Sequence, residues 1–511
     1  MGTRLAVGYL MRSNEKVSDS SLALDSPFTF TLGGHFNKIY LLELDNGVKA
    51  TARIPGAIVG NIELSIVSEA ATLSYLHDLG NIPVPKLLAW SHDSSSTNPV
   101  KWPYIVTEYT PGIPLSDVWP SIRGNPSGEI ILLLMRVLDE CTAPRMSQIG
   151  SLYFKEDVSP ELQARPLFAF DADNSQDEGH ISQKYRIGPI VDREWWRGAR
   201  RHVESDRGPW PDLKSYITAA ARLELKCISE GIDLDSPHVI SQPKDIPELQ
   251  DLLTRCIAAA PHLAPSVDPS LSAPSLTHPD LITSNIIIPS PTVMHGAKII
   301  DWQGTIIAPF LMQPCVPPAI AYTTNIFGQT DLTAVPQLPD NFGTLSPDEQ
   351  QYLTLHRVYA GRQAIFLQLV VKKSPRVGRM WALAPHSWIM AGLVYHICRS
   401  WASGPARLRQ DLIDLEDNWE GISSEPCPYH FTPEDRARHE REYAAFERRD
   451  AAAEKLRLSI GCDPHGLVEN DKWEEAKARW EEAMRKWDVT EEGTEFPFRD
   501  GALSYGDSCL C

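Results

Sequence analysis

The sequence has no apolar run long enough to cross a membrane. A membrane-spanning helix needs about 20 consecutive apolar residues. The run Ile130–Met135 ends at Arg136, and the run Ile389–Val394 lies between His386 and His396. The sequence therefore predicts a protein without a membrane span.

Cysteine is also scarce, and positive charge is outnumbered. The nine cysteines are an odd number and form no C-x-x-C pair, a pattern that favours reduced thiols and disfavours a zinc site. The closing Cys509 and Cys511 do not place a cysteine four residues from the terminus, as a prenylation motif requires.

The net charge is −18, whereas binding to nucleic acid or to an anionic membrane needs clustered Lys and Arg. We therefore predict no nucleic-acid partner.

The chain is long and has an ordinary apolar content. Its 511 residues, of which 42% are apolar, suffice for two or three domains with a sizeable core. The first fourteen residues contain Arg4 and Arg12 and no acid, which weakly resembles a mitochondrial presequence, but Glu15 and Asp19 end that pattern. From the sequence alone we favour an ordinary flexible terminus over residues 1–25.

One stretch carries the residues that phosphoryl transfer requires. Asp280 and Asn285 lie five positions apart after His278, and Asp301 follows a short apolar strand. In such reactions one carboxylate orients or receives the proton of the attacking hydroxyl, while an Asn and a second Asp hold magnesium against the nucleotide phosphates. Each residue alone is more often a capped turn or a surface acid, but the ordered set is much rarer. We therefore take Asp280 as the candidate base, and Asn285 and Asp301 as candidate magnesium ligands.

Two short strands should fix the distance between the two magnesium ligands. Ile286–Ile288 and Lys298–Ile300 are apolar and are predicted to form a hairpin between Asn285 and Asp301. Magnesium prefers oxygen ligands and usually takes one or two from the protein, with phosphate and water completing the shell. Two ligands on adjacent loops therefore suffice.

These residues carry a resemblance to a known family. His278, Asp280 and Asn285 match the H-x-D-x-x-x-x-N motif of the aminoglycoside phosphotransferase and choline kinase branch of the protein-kinase-like superfamily, and Asp301-Trp302-Gln303 matches its variant of Asp-Phe-Gly. More narrowly, the chain resembles the fungal altered inheritance of mitochondria group. That group has Asp-Trp-Gln at this point, the Arg-Gly-Pro-Trp run seen at 207–210, and a charged helical tail. The resemblance implies ATP and magnesium as cofactors, a catalytic role for Asp280 with His278, and a mitochondrial location, with the cytoplasm as the alternative.

The N-terminal part reads as a small β lobe that binds the nucleotide. A strand over 28–32 is followed by Gly33 and Gly34, a second strand, a turn at 45–47 and a third strand over 48–54. Two glycines between strands allow backbone N–H groups to approach phosphates closely. A plain β-turn is the alternative explanation of the two glycines.

Arg53 occupies the position on the third strand at which the resembling kinases carry a phosphate-binding Lys. Arginine holds phosphate through two parallel hydrogen bonds and is not equivalent to lysine. A helix beginning near Ile62 contains Glu69, which we expect to pair with Arg53. A solvated helix charge is the alternative for Glu69.

A hinge between the two lobes is predicted after the strand Tyr104–Glu108. The adenine ring would bond backbone groups of Glu108, Tyr109 and Thr110, just before Pro111-Gly112. A buried strand that ends in a Pro-Gly turn is the alternative.

Helical patterns dominate after the hinge. Residues 158–183 are polar and contain two prolines, so we predict an exposed loop there. Trp195, Trp196 and the run 207–210 flank a basic patch, for which packing of an insert is favoured over substrate binding. Ser346 and Glu349 form a capping-box pattern with Pro347 at the first helical position.

The tail reads as two long charged helices that run antiparallel. Trp473, Trp480 and Trp487 recur every seven residues, so one face of the second helix is apolar while the others are charged. Asn470 or Asp471 is the expected N-cap. The tryptophans are predicted to pack on the first helix or the large lobe, and a docking surface for a protein partner is the alternative.

We therefore predict an α+β, two-lobed, protein-kinase-like fold with a small antiparallel β lobe, a large helical lobe and a C-terminal helical hairpin. The expected divisions are a flexible terminus at 1–25, the β lobe at 26–110, the helical lobe at 111–425, and the hairpin and tail at 426–511. The expected activity is transfer of the ATP γ-phosphoryl group to a hydroxyl of a small molecule, and the acidic composition would tolerate a cationic acceptor. A catalytically weak pseudokinase that acts as a mitochondrial scaffold is the alternative, and a kinase acting on protein side chains is a lesser one.

Overall fold

The computed structural model describes most of the chain. The described residues are 28–31, 37–43, 47–56, 60–95, 98, 100–169, 178–232, 245–264, 268–314, 316–324, 326–329, 331–382, 386–462, 468, 472–487 and 496. The predicted phosphate-binding Gly33 and Gly34 lie outside these residues.

The N-terminal part contains a five-stranded antiparallel sheet. Its strands are β1 (Phe28–Thr31), β2 (Asn37–Glu43), β3 (Lys49–Pro55), β4 (Leu87–Ser91) and β5 (Tyr104–Glu108), in the spatial order β1-β2-β3-β5-β4. The central strand β3 buries Ala50, Ala52 and Ile54 on one face. Because side chains alternate along a strand, Arg53 lies on the opposite face, in register with Ile39 of β2 and Ile105 of β5.

Short strands after the sheet position the candidate site. These are β6 (Ile113–Pro114), β7 (Ser151–Phe154), β8 (Tyr185–Gly188), β9 (Pro274–Thr277), β10 (Ile286–Ile288), β11 (Lys298–Ile299) and β12 (Ile306–Pro309). Strand β10 lies between β11 and β6, β9 pairs with β12, and β7 pairs with β8, all antiparallel.

Helices make up most of the remainder. They are α1 (Ile62–Leu79), α2 (Asn125–Thr142), α3 (Pro160–Gln163), α4 (Glu178–Lys184), α5 (Leu213–Ser229), α6 (Ile246–Ala259), α7 (Pro347–Lys373), α8 (Pro375–Ala382), α9 (His386–Ser403), α10 (Pro405–Asp417), α11 (Trp419–Ile422), α12 (Pro433–Ile460) and α13 (Trp473–Lys486). The predicted capping box is present at the start of α7, where Ser346 and Glu349 bond each other's backbone N–H groups.

The small antiparallel sheet and the larger helical part together confirm the predicted two-lobed α+β fold. The exact domain divisions stay a prediction.

The exposed loop predicted over residues 158–183 is only partly correct: most of the described residues there are exposed or half-buried, but some form short helices and three are buried. Helix α3 and most of α4 lie in this segment, and Val158, Leu167 and Ile181 are buried. These widely spaced apolar residues form no periodic pattern, because they contact the core from separate short elements. The neighbouring tryptophans pack as predicted: Trp195 and Trp210 are fully buried, with ring centroids 4.8 Å apart.

The C-terminal hairpin is confirmed. Helix α13 packs on the end of α12, where Leu456 and Ile460 are buried against partly buried Trp473 and Trp480. Helix α13 begins at Trp473, close to the predicted capping residues. Asn470 and Asp471 themselves lie outside the described residues. In the part of the chain that the structure covers, no helix combines the length and apolarity needed to cross a membrane.

Candidate active site

Backbone pairing brings the predicted magnesium ligands together. The loop from His278 to Asn285 connects β9 to β10, and Asp301 follows β11. The predicted hairpin of β10 and β11 is present, with Ile286 opposite Ile299. One further bond, from Ile300 N–H to the Asn285 carbonyl at 3.0 Å, continues this pairing to the end of the loop. Asn285 and Asp301 are therefore held at one edge of the same small sheet.

His278 is buried beneath the loop, with both ring nitrogens bonded to backbone. Its Nδ1 accepts from the Asp280 N–H at 3.1 Å, so Nε2 carries the proton and donates to the Ile300 carbonyl at 3.0 Å. The ring also packs edge-on against Trp302, with centroids 4.5 Å apart. Burial lowers the pKa of His278 to about 4, so the ring is neutral at physiological pH. This geometry suits a positioning residue that joins the Asp280 loop to the strand before Asp301.

Asp280 and Asn285 are in direct contact. Asn285 Nδ2 donates to the Asp280 backbone carbonyl at 2.8 Å and to its carboxylate at 3.3 Å. Partial desolvation raises the pKa of Asp280, the Asp301 carboxylate raises it further, and the Asn285 bond opposes both effects. The Asp280 side chain lies at the surface of its loop, so an acceptor hydroxyl could reach it.

Arg53 joins the β lobe to the candidate metal ligand. Its Nη1 donates to Asp301 Oδ1 at 2.6 Å, and its Nη2 donates to Glu69 on α1. The predicted pair of Arg53 and Glu69 is therefore present, and both side chains are largely buried, whereas Asp301 is 40% exposed. Burial lowers the pKa of Arg53, and the Asp301 carboxylate opposes that shift. Asp301 has a φ of 63°, a backbone conformation that is uncommon for a residue with a side chain and is found often at functional sites.

Gln303 makes a second connection between the lobes that sequence reasoning did not assign. Its Oε1 accepts from Asn37 Nδ2 of β2 at 2.9 Å, and its Nε2 lies 3.5 Å from Ser65 Oγ of α1. The only signal in the sequence was the position of Gln303 within the Asp-Trp-Gln motif. The partner Asn37, 266 residues away, gave no local signal.

At the predicted hinge, two of the three backbone N–H groups are already used within the sheet. Glu108 N–H donates to the Lys86 carbonyl and Tyr109 N–H donates to the Lys49 carbonyl. The Glu108 carboxylate pairs with Lys298 of β11. Thr110 follows directly, so its N–H is the remaining candidate donor to an adenine ring among these three residues.

A cleft of about 380 Å³ opens beside the loop from His278 to Asn285. It is lined by Ser116, Trp119 and Pro120, by Thr283 of the loop, by residues 319–324, and by one face of α7. The bond from Ala319 N–H to the Leu281 carbonyl, 2.8 Å long, fastens one wall to the loop. The cleft was not predicted, because its lining comes from four separate segments between Ser116 and Arg362. A separate groove of about 410 Å³ lies along α5 and contains none of the predicted site residues.

Comparison with known proteins finds fungal relatives over most of the chain. The sequence is 28% identical over 480 residues to a subtelomeric hrmA-associated cluster protein of Aspergillus fumigatus, which covers 87% of this chain and 89% of that protein. It is 23% identical over 491 residues to the mitochondrial altered inheritance of mitochondria protein 9 of Eremothecium gossypii, covering 88% and 75%. The resemblance to this group is therefore confirmed.

Among solved structures, aminoglycoside phosphotransferase APH(4)-Ia is 12% identical to the chain and has a TM-score of 0.31, covering 76% of this chain and 98% of that one. No family model matches the sequence.

Proposed function

We propose that the protein is an ATP- and magnesium-dependent phosphotransferase that transfers the γ-phosphoryl group to a hydroxyl of a small molecule. The observation that supports this most is the meeting of Arg53, Glu69, Asp280, Asn285 and Asp301 in one site. These residues come from a strand, a helix and two loops, and each has a role in phosphoryl transfer.

The residues fit magnesium, since Asn285 and Asp301 offer oxygen donors from adjacent loops and Asp301 is partly exposed. Bound there, the ion would neutralise charge on the phosphate oxygens. Arg53 would add a fixed positive charge on the β-lobe side, held in place by Glu69. As the acceptor oxygen attacks phosphorus and the bond to ADP breaks, Asp280 would receive the acceptor's proton.

The pseudokinase alternative is supported by one observation. Arg53 already pairs with Asp301, the candidate metal ligand. A catalytic cycle requires this arginine to share its charge between Asp301 and the phosphates. A protein in which the pair never opens would bind nucleotide without magnesium, or not at all.

Two substitutions separate the roles of the carboxylates. We expect Asp301→Asn to abolish magnesium-dependent ATP binding, because it removes the charged metal ligand. We expect Asp280→Ala to retain Mg-ATP binding and to lower transfer by about 10²–10⁴-fold, the usual cost of losing a general base. Binding is measured by calorimetry with and without magnesium, and transfer by ADP release with a panel of small alcohols, sugars and hydroxy acids.

A matched control is Asp331→Asn, since Asp331 is an exposed carboxylate bonded to Thr333 away from the site. It should behave as wild type in both assays. If Asp301→Asn binds Mg-ATP as tightly as wild type, the metal assignment is wrong. If wild type and Asp280→Ala are equally inactive over the whole panel, the pseudokinase proposal replaces the enzyme.

A mitochondrial location is part of the proposal, supported by the mitochondrial names of the relatives from Eremothecium gossypii and Candida albicans. Recovery of the protein only in the cytosolic fraction of fungal cells would contradict it.

A further inference from the structure

The cleft beside the catalytic loop has a positive charge in its wall that pairs with no carboxylate of the described residues. Arg362 of α7 lines the cleft and is 4% exposed. Its guanidinium donates to the carbonyls of Trp119 and Ile122, at 2.9 and 2.7 Å, and lies 3.2 Å from Ser127 Oγ. Its Nη1 has no hydrogen-bond partner among the residues that the structure describes. All the bonded partners are neutral, so the charge itself is left uncompensated.

The surroundings of Arg362 add to its positive potential. Burial lowers the pKa of Arg362 to about 10, so the group keeps its charge at neutral pH, and nearby Arg123 is a second cation. None of the described residues that line the cleft is Asp or Glu. The adjacent carboxylate of Asp117 is exposed and bonded to Ser116 Oγ. A buried charge without a counter-ion is costly in a wall of low dielectric constant, and an anion that enters the cleft would offset that cost.

The rest of the lining combines aromatic rings with small aliphatic and hydroxyl side chains. The Trp119 ring lies under the Arg362 guanidinium, 3.6 Å from ring centroid to Cζ. Tyr359 lies 5.7 Å from the same group. The Tyr322 hydroxyl bonds Nδ1 of His356, also on α7, at 3.2 Å. Flat rings favour a ligand that has a flat apolar portion, and the hydroxyls of Ser116 and Thr283 beside them suit its polar groups.

We propose that this cleft binds the phosphoryl acceptor, and that the acceptor is a hydroxy acid: an anionic group held by the Arg362 side of the cleft, a flat apolar body, and a hydroxyl directed towards Asp280. The location of the hydroxyl rests on the proposed phosphotransferase function, whereas the preference for an anion rests on the cleft alone. The proposed acceptor is therefore an anion, whereas the acidic composition of the chain had indicated that a cationic acceptor would be tolerated.

The test uses three ligands of similar size that differ in charge: para-hydroxymethylbenzoate, its amide, and para-aminomethylbenzyl alcohol. Calorimetry on the full chain without nucleotide is expected to give binding in that order. The benzoate should bind about 10–100-fold more tightly than the amide, the range expected for a charge-assisted hydrogen bond. Equal binding of benzoate and amide, tighter binding of the amine, or no benzoate binding at millimolar concentration would each overturn the proposal.

Substitutions of Arg362 test whether its positive charge is the one that binds the anion. Arg362→Gln should bring the benzoate-to-amide ratio close to one, while Arg362→Lys keeps a preference for the benzoate. A merely structural role for Arg362 would instead weaken all three ligands equally and leave the ratio unchanged. The matched control is Arg222→Gln, on the separate groove along α5, which should keep the wild-type ratio. Should Arg362→Gln fail to fold by circular dichroism, the ratio in Arg362→Lys and the ligand series on wild type still decide the matter.

Adding Mg-ATP distinguishes this inference from the proposed function. Benzoate binding with ADP release and a phosphorylated product supports both. Benzoate binding without any transfer supports the anion site and contradicts the phosphotransferase. Phosphorylation of the amine in preference to the benzoate supports the phosphotransferase and overturns the anion site.

Discussion

At the residue scale, the motif residues could be placed from the sequence because they are close together along the chain. His278, Asp280 and Asn285 share one loop, so their spacing alone defines their relation. The role of His278 could not be derived in this way, because both of its ring bonds are to backbone atoms. Arg362 was also missed, although it lies four residues before the buried Phe366 on one face of α7. An arginine on an apolar stripe is the signal that could have identified it.

The neutral ring of His278 leads to a prediction about pH. Its pKa is about 4 in the folded protein and near 6.5 when unfolded. Between these values the unfolded chain binds a proton that the folded protein does not, so the free energy of unfolding decreases as pH falls from about 6.5 to 4. One such group contributes at most ~1.4 kcal/mol per pH unit. We expect His278→Asn to reduce this slope by one proton equivalent, measured by urea unfolding at a series of pH values.

A second histidine provides the control for this measurement. Burial also lowers the pKa of His439 to about 4, so His439 contributes to the slope in both wild type and His278→Asn. His439→Asn should therefore flatten the slope by a similar amount while leaving Mg-ATP binding unchanged. A His278→Asn slope equal to that of wild type would show that folding does not lower the pKa of His278.

At the element scale, helix starts were predicted well where the capping residues are specific. The predicted box Ser346–Glu349 is present, because each side chain satisfies a backbone N–H three residues away. Thr432 and Asp435 form a second box at the start of α12. Helix α13 begins at Trp473, and its predicted capping residues Asn470 and Asp471 lie outside the described residues. Its tryptophans pack against the end of α12.

Because the tryptophans of α13 pack on α12, truncating one tryptophan side chain should loosen the helix. Trp480 contacts the end of α12 and packs edge-on against Phe496, with centroids 6.2 Å apart. Trp480 is only partly buried, so Trp480→Ala should cost less than the ~3–5 kcal/mol of a fully buried tryptophan. The first half of α12 is held separately, because Glu442 pairs with Arg409 of α10. We expect the variant to release α13 to limited proteolysis while the main melting transition stays unchanged.

Glu481→Ala, on the exposed face of α13, is the matched control and should resist protease as wild type does. A Trp480→Ala protein with wild-type protease resistance would show that the tryptophan face does not hold the hairpin together. If that protein also loses a bound protein partner, the face is a docking surface.

At the scale of the whole molecule, the order of lobes could be read from the sequence but the contacts that unite them could not. Turns and alternating strands define the β lobe, and helical periodicity defines the large lobe. The connections between them, such as Lys298 to Glu108 and Asn37 to Gln303, join residues 190 and 266 positions apart. Such pairs leave no local pattern, because the chain between them does not influence which side chains meet.

A buried ion pair in the helical lobe is another contact that could not be predicted from the sequence. Arg200 and Glu224 are 1% and 0% exposed and form a direct salt bridge. Arg200 also donates to the Cys398 carbonyl at 2.5 Å, and Glu224 accepts from the Trp401 N–H at 3.0 Å. The pair therefore joins the tryptophan-rich insert to α5 and α9.

Breaking this pair should destabilise the whole fold without touching the candidate site. Glu224→Gln leaves the charge of Arg200 buried without a carboxylate, and we expect a loss of roughly 3–5 kcal/mol in the free energy of unfolding, measured by urea denaturation. Glu161→Gln breaks an exposed pair with Arg165 and should cost only ~0–1 kcal/mol. Replacing both buried partners, as Arg200→Met with Glu224→Leu, should recover much of the loss because no charge remains in the core. Equal stability of Glu224→Gln and Glu161→Gln would mean that water or another group compensates Arg200, and that the insert is held by its tryptophans alone.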